Sequence, residues 1–570
     1  MRKQKKSERT EKQIKRLFKR KIRSIFQDAG FSYIPTNDHE MCIGARKVEI
    51  DALFVYKNIW LLCEDTIKTT ELRAHARNKN EATQQIKKNL TSFIEELVKL
   101  FPEKEEILKE FPSNRIKLYS LYIPKGGIKI SGSDEKLFSD LIFIQPKTLN
   151  YFRWIVQCIK VSARNEIFRF LGIKKSDIGP ISSARTSSEK ITAPIIYPQS
   201  FTGLDNNVRM VSFMMSAQKL LETCYVMRKD NWDASILLYQ RLIEKSKIKG
   251  IRNFLEKEGA AFYNNIIVAL PDTVQCCNPS EGVEKITEIT DFKDGYELII
   301  PNEINSICVI DGQHRIFAHY ESGYDSEQER CISELRKKLH LLVTGLVFPK
   351  TMDEEERVRI QSKIFLDINS NAKPVPPNVL LQIKRIQNPI ADESIAQFVI
   401  EKLNSKEPFE NSLQLSTLDE GKIKTASIVR FALRYLVTSK PKDGKQSLYT
   451  YWNGDKEEFT QLKESAIEEY VNYCAKTLRE YFCAIRKNFK DQWYDNSSKL
   501  LSVISINGFI IAMTRQIKIN GVKDFKYYDN VFKEWEFDFS REGFKYTSSQ
   551  YRKFSSQILK EAFKFEENDY

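Results

Sequence analysis

Residues 304–323, INSICVIDGQHRIFAHYESG, constrain the fold more than any other stretch of this chain. Ile304 to Ile310 is apolar and β-rich, as a buried strand is. It runs straight into Asp311-Gly312-Gln313-His314-Arg315, after which Ile316, Phe317 and Tyr320 return at helical spacing. A strand passing through one glycine into a helix predicts an α/β arrangement. Gly312 permits a sharp turn and close backbone approach to a ligand. The amides opening the helix favour anions, and Arg315 adds a planar fork of donors suited to phosphate or carboxylate. Asp311, Gly312, Gln313, His314 and Arg315 are therefore candidate phosphate- or nucleotide-binding residues. The plain alternative is a buried turn in which Asp311 and Arg315 pair only with each other.

The pentapeptide DGQHR at 311–315 resembles the signature of the DGQHR-domain proteins, which include regulators of Dnd-type DNA phosphorothioation. That family is similar to the ParB/sulfiredoxin superfamily, whose corresponding turn and helix hold nucleotide phosphates. Residues 239–270 resemble the family's opening helices and first strand, and 365–383 its asparagine- and proline-bearing segment. The resemblance implies an α+β domain, a nucleotide ligand such as CTP or ATP, and a pocket lined also by Asn369 and Asn371. A capped helix end is the other reading of those asparagines. Sulfiredoxins carry a reactive cysteine where this chain has Gln313, so sulfinate reduction lacks its nucleophile here.

The net charge of +14 on 570 residues is unevenly placed. Residues 1–25 hold 12 Lys/Arg against 2 Asp/Glu, a net +10, which leaves +4 for the rest. Ile14, Leu17, Phe18, Ile22, Ile25 and Phe26 form one face of a helix there, with Lys15, Arg16, Lys19, Arg20 and Arg23 on the other. Three readings compete: contact with a DNA phosphate backbone, a solvated helix packed on its own domain, or binding at a membrane surface. No apolar run is long enough to cross a bilayer, and no signal segment follows the basic start, so a cytoplasmic protein is expected. Ten cysteines without a CxxC pair and five scattered histidines show no zinc spacing. The cysteines are expected to be reduced core residues.

A second constellation lies near the N-terminus. Residues 48–56 and 59–64 read as two strands joined at Lys57-Asn58, placing Glu49 and Asp51 on one and Glu64-Asp65 at the end of the other. Carboxylates on neighbouring strand ends can share Mg²⁺, which can activate water against a phosphodiester. With a helix before the hairpin and a long polar helix expected over 71–100, the pattern resembles the PD-(D/E)xK restriction-endonuclease fold, especially its Mrr-like branch. That resemblance maps Asp51 and Glu64 to the metal ligands. Its lysine would fall at Thr66; Lys68, two residues on, takes its place if the strand continues.

The expected architecture is α/β: a nuclease-like domain over 1–175, a Ser/Thr/Pro-rich linker over 176–204, a DGQHR domain over 205–400 and a mainly helical region over 401–570. In that last third Phe482, Phe489, Trp493 and Tyr494 read as core, and no chemical motif appears. The implied role is DNA modification, restriction or phage defence, either as a Mg²⁺-dependent nuclease gated by the DGQHR turn or as a non-catalytic DNA-binding regulator. An NTPase centred on the DGQHR turn is a third reading. DNA, DNA-modification proteins and a second copy of the chain are the expected partners, and no membrane.

Overall fold

The computed structural model describes residues 11–44, 46–130, 132–180, 188–192, 194–197, 199–204, 208–228, 232, 238, 240–278, 282–286, 296–370, 377–416, 419, 421–441, 446–547 and 549–566. The chain is mixed α/β with several sheets and divides into two compact units, 1–233 with 242–353, and 234–241 with 354–570. Compactness thus draws its boundaries elsewhere than composition does. The expected domains 1–175 and 205–400 share one unit as far as 353. The expected linker contributes Ser188–Thr192 to one sheet and Ile195–Tyr197 to another. Among the described residues no helix is long and apolar enough to cross a membrane.

The first sheet is built from α1 (Glu11–Asp28), β1 (Ser32–Ile34), the hairpin β2 (Glu40–Ile43) and β3 (Arg46–Glu49), β4 (Ala52–Tyr56), β5 (Ile59–Thr66), α2 (Leu72–Lys88), α3 (Leu90–Leu100), α4 (Glu105–Leu108), β6 (Lys117–Pro124), α5 (Gly132–Leu137), β7 (Leu141–Phe143), α6 (Pro146–Ile159) and α7 (Arg164–Phe170). Its strand order is β1-β4-β5-β6-β7. The β1–β4 and β4–β5 pairs are antiparallel, and β5–β6 and β6–β7 are parallel. Every residue of β5 is buried, as a central strand covered on both faces requires. Leu53, Val55, Trp60 and Leu62 pack with Ile86 and Phe93 of α2 and α3. On the opposite face the Phe54 ring lies 4.8 Å from Phe26 of α1.

Two expected elements are each split. The strand over 48–56 is two strands: β3 ends at Glu49 in the separate β2–β3 hairpin, and the chain enters the five-stranded sheet only at Ala52. Ile50 and Asp51 lie between, outside the ladder. The helix over 71–100 breaks at Asn89 (φ −123°, ψ 42°), whose amide N–H bonds back to the carbonyls of Gln85 and Ile86.

The rest of the first unit comprises β8 (Ser188–Thr192), β9 (Ile195–Tyr197), α8 (Gln199–Thr202), β10 (Arg209–Ser216), α9 (Ala217–Thr223), β11 (Cys224–Tyr225), α10 (Lys245–Glu258), β12 (Ile266–Leu270), β13 (Gln275–Asn278), β14 (Gly282–Lys285), β15 (Glu297–Pro301), β16 (Ile307–Asp311), α11 (Gln313–Phe317), α12 (Glu327–Lys338) and β17 (His340–Val347). A six-stranded mixed sheet runs β11-β16-β12-β17-β10-β9, and a four-stranded one β14-β13-β15-β8. Cys63, Cys158, Cys224, Cys276, Cys308 and Cys474 are buried.

The second unit is helical, with one two-residue parallel strand pair. Its core is strongly aromatic and includes Phe482, Phe489 and Trp493 as expected, whereas Tyr494 is 65% exposed.

Candidate functional site

Three carboxylates converge where β5 ends. Strand alternation sends Glu64 toward α2 and Asp65 toward α1, because successive side chains face opposite sides of a sheet. Asp51, turned out of the ladder just before β4, accepts the backbone N–H of Asp65 on Oδ2 at 3.0 Å. Each face supplies a lysine. Lys19 Nζ of α1 lies 2.6 Å from Asp51 Oδ1 and 3.9 Å from Asp65 Oδ2. Lys79 Nζ of α2 lies 2.7 Å from Glu64 Oε2 and donates to the Glu49 carbonyl at 2.9 Å.

The cluster is electrostatically divided. Burial pushes Glu64 up to about 8, with Asp51 adding to the rise and Lys79 only partly offsetting it. Burial and the Asp51 charge push Asp65 up to about 7. Burial would raise Asp51 too, but its bond to Lys19 outweighs that and holds it below the usual carboxylate range. Asp51 therefore gives up its proton more readily than Glu64 and Asp65. Such separation marks sites where acids take different roles. Tyr122, pushed up to about 12 by burial and by Glu64, donates its hydroxyl to the Leu72 carbonyl and meets His75 Nδ1 at 2.9 Å.

The donors suit a hard cation. Asp65 Oδ1 is buried with no hydrogen-bond partner among the described residues. No group of three or more His, Cys, Asp and Glu arranged to hold a metal occurs among the described residues. Two carboxylates such as Asp51 and Glu64 could hold a hard cation only with water or phosphate oxygens completing its shell.

Beside these acids a cavity of about 580 Å³ is lined by Arg16, Lys19, Arg20 and Arg23 together with Asp51 and Asp65. Helix α1 buries Phe18, Ile22, Ile25 and Phe26 and turns its basic side to this space. Arg23 also stacks 4.4 Å above the Tyr33 ring. Lys15 is exposed, its charge lowering the Asp65 pKa. Lys19, read from sequence as one of the backbone contacts, is bonded to a carboxylate instead.

Lys68 is not at this cluster's lysine position. The strand stops at Thr66, so the condition that would have aimed Lys68 inward is not met, and Lys68 is exposed. Lys79 was missed because it lies 15 positions beyond Glu64 on another element. The available signal was the i, i+4 stripe of His75, Lys79 and Thr83 within the polar helix.

The DGQHR turn has the expected form. β16 ends at Asp311, Gly312 stands at φ +97°, and α11 begins at Gln313. Most of its polar groups, however, are engaged within the protein, while Arg315 Nε is buried with no hydrogen-bond partner among the described residues. Arg315 Nη2 lies 2.8 Å from Asp311 Oδ2 and donates to the Asn265 carbonyl at 2.8 Å, the pairing of the plain alternative. A Cβ on Gly312 would come within 3.0 Å of Arg315 Nη2, so glycine is what lets the arginine fold back. His314 Nε2 accepts the Glu244 N–H at 2.9 Å. His319 is fully buried and donates from Nδ1 to the Arg315 carbonyl at 2.9 Å. Gln313 Oε1 accepts from Arg228 Nε at 3.2 Å. Asn369 belongs to the second unit and donates to the Phe365 carbonyl of its own helix at 2.8 Å, while Asn371 lies outside the described residues.

No protein-family model, curated protein or solved structure matches this chain.

Proposed function

We propose that the N-terminal sheet with its flanking helices is a divalent-metal-dependent DNA endonuclease of the restriction type, acting in bacterial-type DNA modification, restriction or phage defence. The observation that carries this reading is the cavity in which Arg16, Arg20 and Arg23 stand beside Asp51 and Asp65. Guanidinium groups on α1 neutralise backbone phosphates and bring one alongside the acids. Asp51 and Glu64 would hold Mg²⁺, which when bound supplies Lewis acidity to a scissile phosphodiester and lowers the pKa of bound water. Lys79 holds the Glu64 carboxylate in place and supplies positive charge where the lysine of a PD-(D/E)xK site would act. The DGQHR resemblance supports a regulatory role for the turn at 311–315 in the same system.

A second reading, a DNA-binding regulator without cleavage, is favoured by Lys19. Its ammonium sits against both Asp51 and Asp65, where a cation would be drawn. Plasmid nicking with Mg²⁺ or Mn²⁺, on unmodified and phosphorothioated DNA, separates the two. Cleavage abolished in Asp51→Ala and in Glu64→Ala, with DNA affinity retained, supports the nuclease. Retained binding without cutting of any substrate by the unaltered protein hands the case to the regulator.

A further inference from the structure

The helices of the second unit enclose a cavity of about 620 Å³, inside the range of roughly 300–1,000 Å³ that small-molecule sites occupy. One wall is the π-helical turn Val429–Leu433 running into the helix Arg434–Leu436, which contributes Phe431 and Tyr435. Turns of this kind are rare and are often found at functional sites. Phe431 is 46% and Tyr435 49% exposed, the latter with the Arg434 guanidinium carbon 4.6 Å over its ring. Phe431 is stacked on Tyr551, ring centres 6.1 Å apart and planes 22° apart, so the platform is already oriented.

The facing walls are cationic. Arg515 and Lys518 share one side of helix Val503–Asn520, Arg552 opens helix Tyr551–Glu561, and Lys440 follows the π turn. Lys440, Lys518 and Arg552 are exposed. The single carboxylate of the lining, Asp392, accepts from the Thr438 hydroxyl and the Ser439 N–H and so is bound into the wall. Flat aromatic faces beside a surplus of ammonium and guanidinium groups match one ligand chemistry. A nucleobase stacks on the rings, and its phosphate meets the cations.

We propose that this cavity binds a nucleotide, its base against Phe431 and Tyr435 and its phosphate at Arg515, Lys518 and Arg552. The nucleotide is either a free nucleoside phosphate or one unit of single-stranded DNA. The inference does not rest on the nuclease reading, since every residue in it lies in the other unit.

The test uses the full chain carrying Arg16→Ala, Arg20→Ala and Arg23→Ala, so that α1 contributes little to binding. Probes are methylanthraniloyl-labelled ATP and GTP, and a fluorescein-labelled oligothymidylate of roughly ten nucleotides. Phe431→Ala is expected to weaken binding about tenfold or more, the loss of one stacked base. Phe431→Tyr should retain it and Arg552→Glu should weaken it. Sensitivity with the labelled nucleotides assigns a free nucleotide, and sensitivity with the oligomer alone assigns a strand; either supports the proposal. Unchanged melting in Phe431→Ala shows that the fold is intact, and should that variant melt early, Arg552→Glu at the exposed rim carries the test. Absence of binding by every probe overturns the proposal, as does binding indifferent to both Phe431→Ala and Arg552→Glu.

Discussion

Glu64 and Asp65 are neighbours in sequence but serve opposite faces of the sheet, and each meets its own lysine. Lys79 stands 2.7 Å from Glu64, whereas Lys68 is exposed beyond the strand end. Lys79→Met is therefore expected to abolish cleavage with DNA affinity retained, while Lys68→Met cuts like the unaltered protein. The reverse pattern in a nicking assay would reinstate Lys68. His319 offers a pH test far from these acids. Burial, with the Arg336 and Arg252 charges nearby, pushes its imidazole down from 6.5 to about 4. The unfolded chain takes that proton near pH 6.5 and the folded chain only near pH 4, so unfolding binds a proton across the window. Stability should fall as pH drops through it, by roughly 3 kcal/mol when fully expressed. His319→Asn keeps a donor for the Arg315 carbonyl but does not titrate. Its urea midpoint should fall less than that of the unaltered protein between neutral pH and about pH 4.5. Equal falls would mean that His319 is not the titrating group.

Helix α1 has two faces with separate duties. Phe18, Ile22, Ile25 and Phe26 close one side of the sheet core, while Arg16, Arg20 and Arg23 line the cavity. Removing residues 1–25 would strip most of that apolar face and confound binding with unfolding. Point changes separate the two. Replacing Arg16, Arg20 and Arg23 with alanine should leave the melting temperature nearly unchanged and flatten the log–log dependence of DNA affinity on salt, by about 0.9 for each phosphate no longer neutralised. An unaltered slope would reduce the basic face to a solvated one. Element boundaries were less legible than element types. The periodicity of 71–100 is helical throughout, and only the local conformation at Asn89 divides it. The apolar run 48–56 likewise conceals the break at Ile50-Asp51 that frees an acid from the ladder.

Across the first unit, Arg228 joins what the sequence suggested were separate domains. It is fully buried, 2.5 Å from Glu166 Oε1 and 3.0 Å from the Tyr151 hydroxyl, and it also donates to Gln313 in the DGQHR helix. The Phe317 ring lies 5.2 Å from its guanidinium carbon. Cutting the arginine away leaves the Glu166 carboxylate buried and uncompensated, a cost of about 3–5 kcal/mol. Arg228→Met should therefore lower the melting of the N-terminal sheet and of the six-stranded sheet together. Adding Glu166→Gln should recover part of the loss. Hydrogen exchange by mass spectrometry reads both sheets at once, and faster exchange confined to one of them would show that Arg228 does not couple the pair.

Short-range order was largely legible in the residues themselves. The strand, glycine and helix around Asp311-Gly312-Gln313, the amphipathic α1, and the hairpin joining 52–56 to 59–63 inside the strands expected over 48–56 and 59–64 follow from periodicity and turn chemistry, which act over a few residues. The hairpin made the acids at its strand ends legible, and the resemblance to the restriction-endonuclease fold singled out Asp51 and Glu64 among them. What partners them was decided by tertiary structure. Lys19 and Lys79 reach the cluster from helices on opposite faces of β5, and no local spacing encodes that meeting. Burial raises all three acids, and it is the bond to Lys19 that sets Asp51 apart from Glu64 and Asp65 in acidity. The engagement of Arg315 with Asp311 and Asn265 depends on a strand arriving from 50 residues away. The reason is physical: hydrophobic pattern and backbone preference act along the chain, while charge compensation and desolvation act through space.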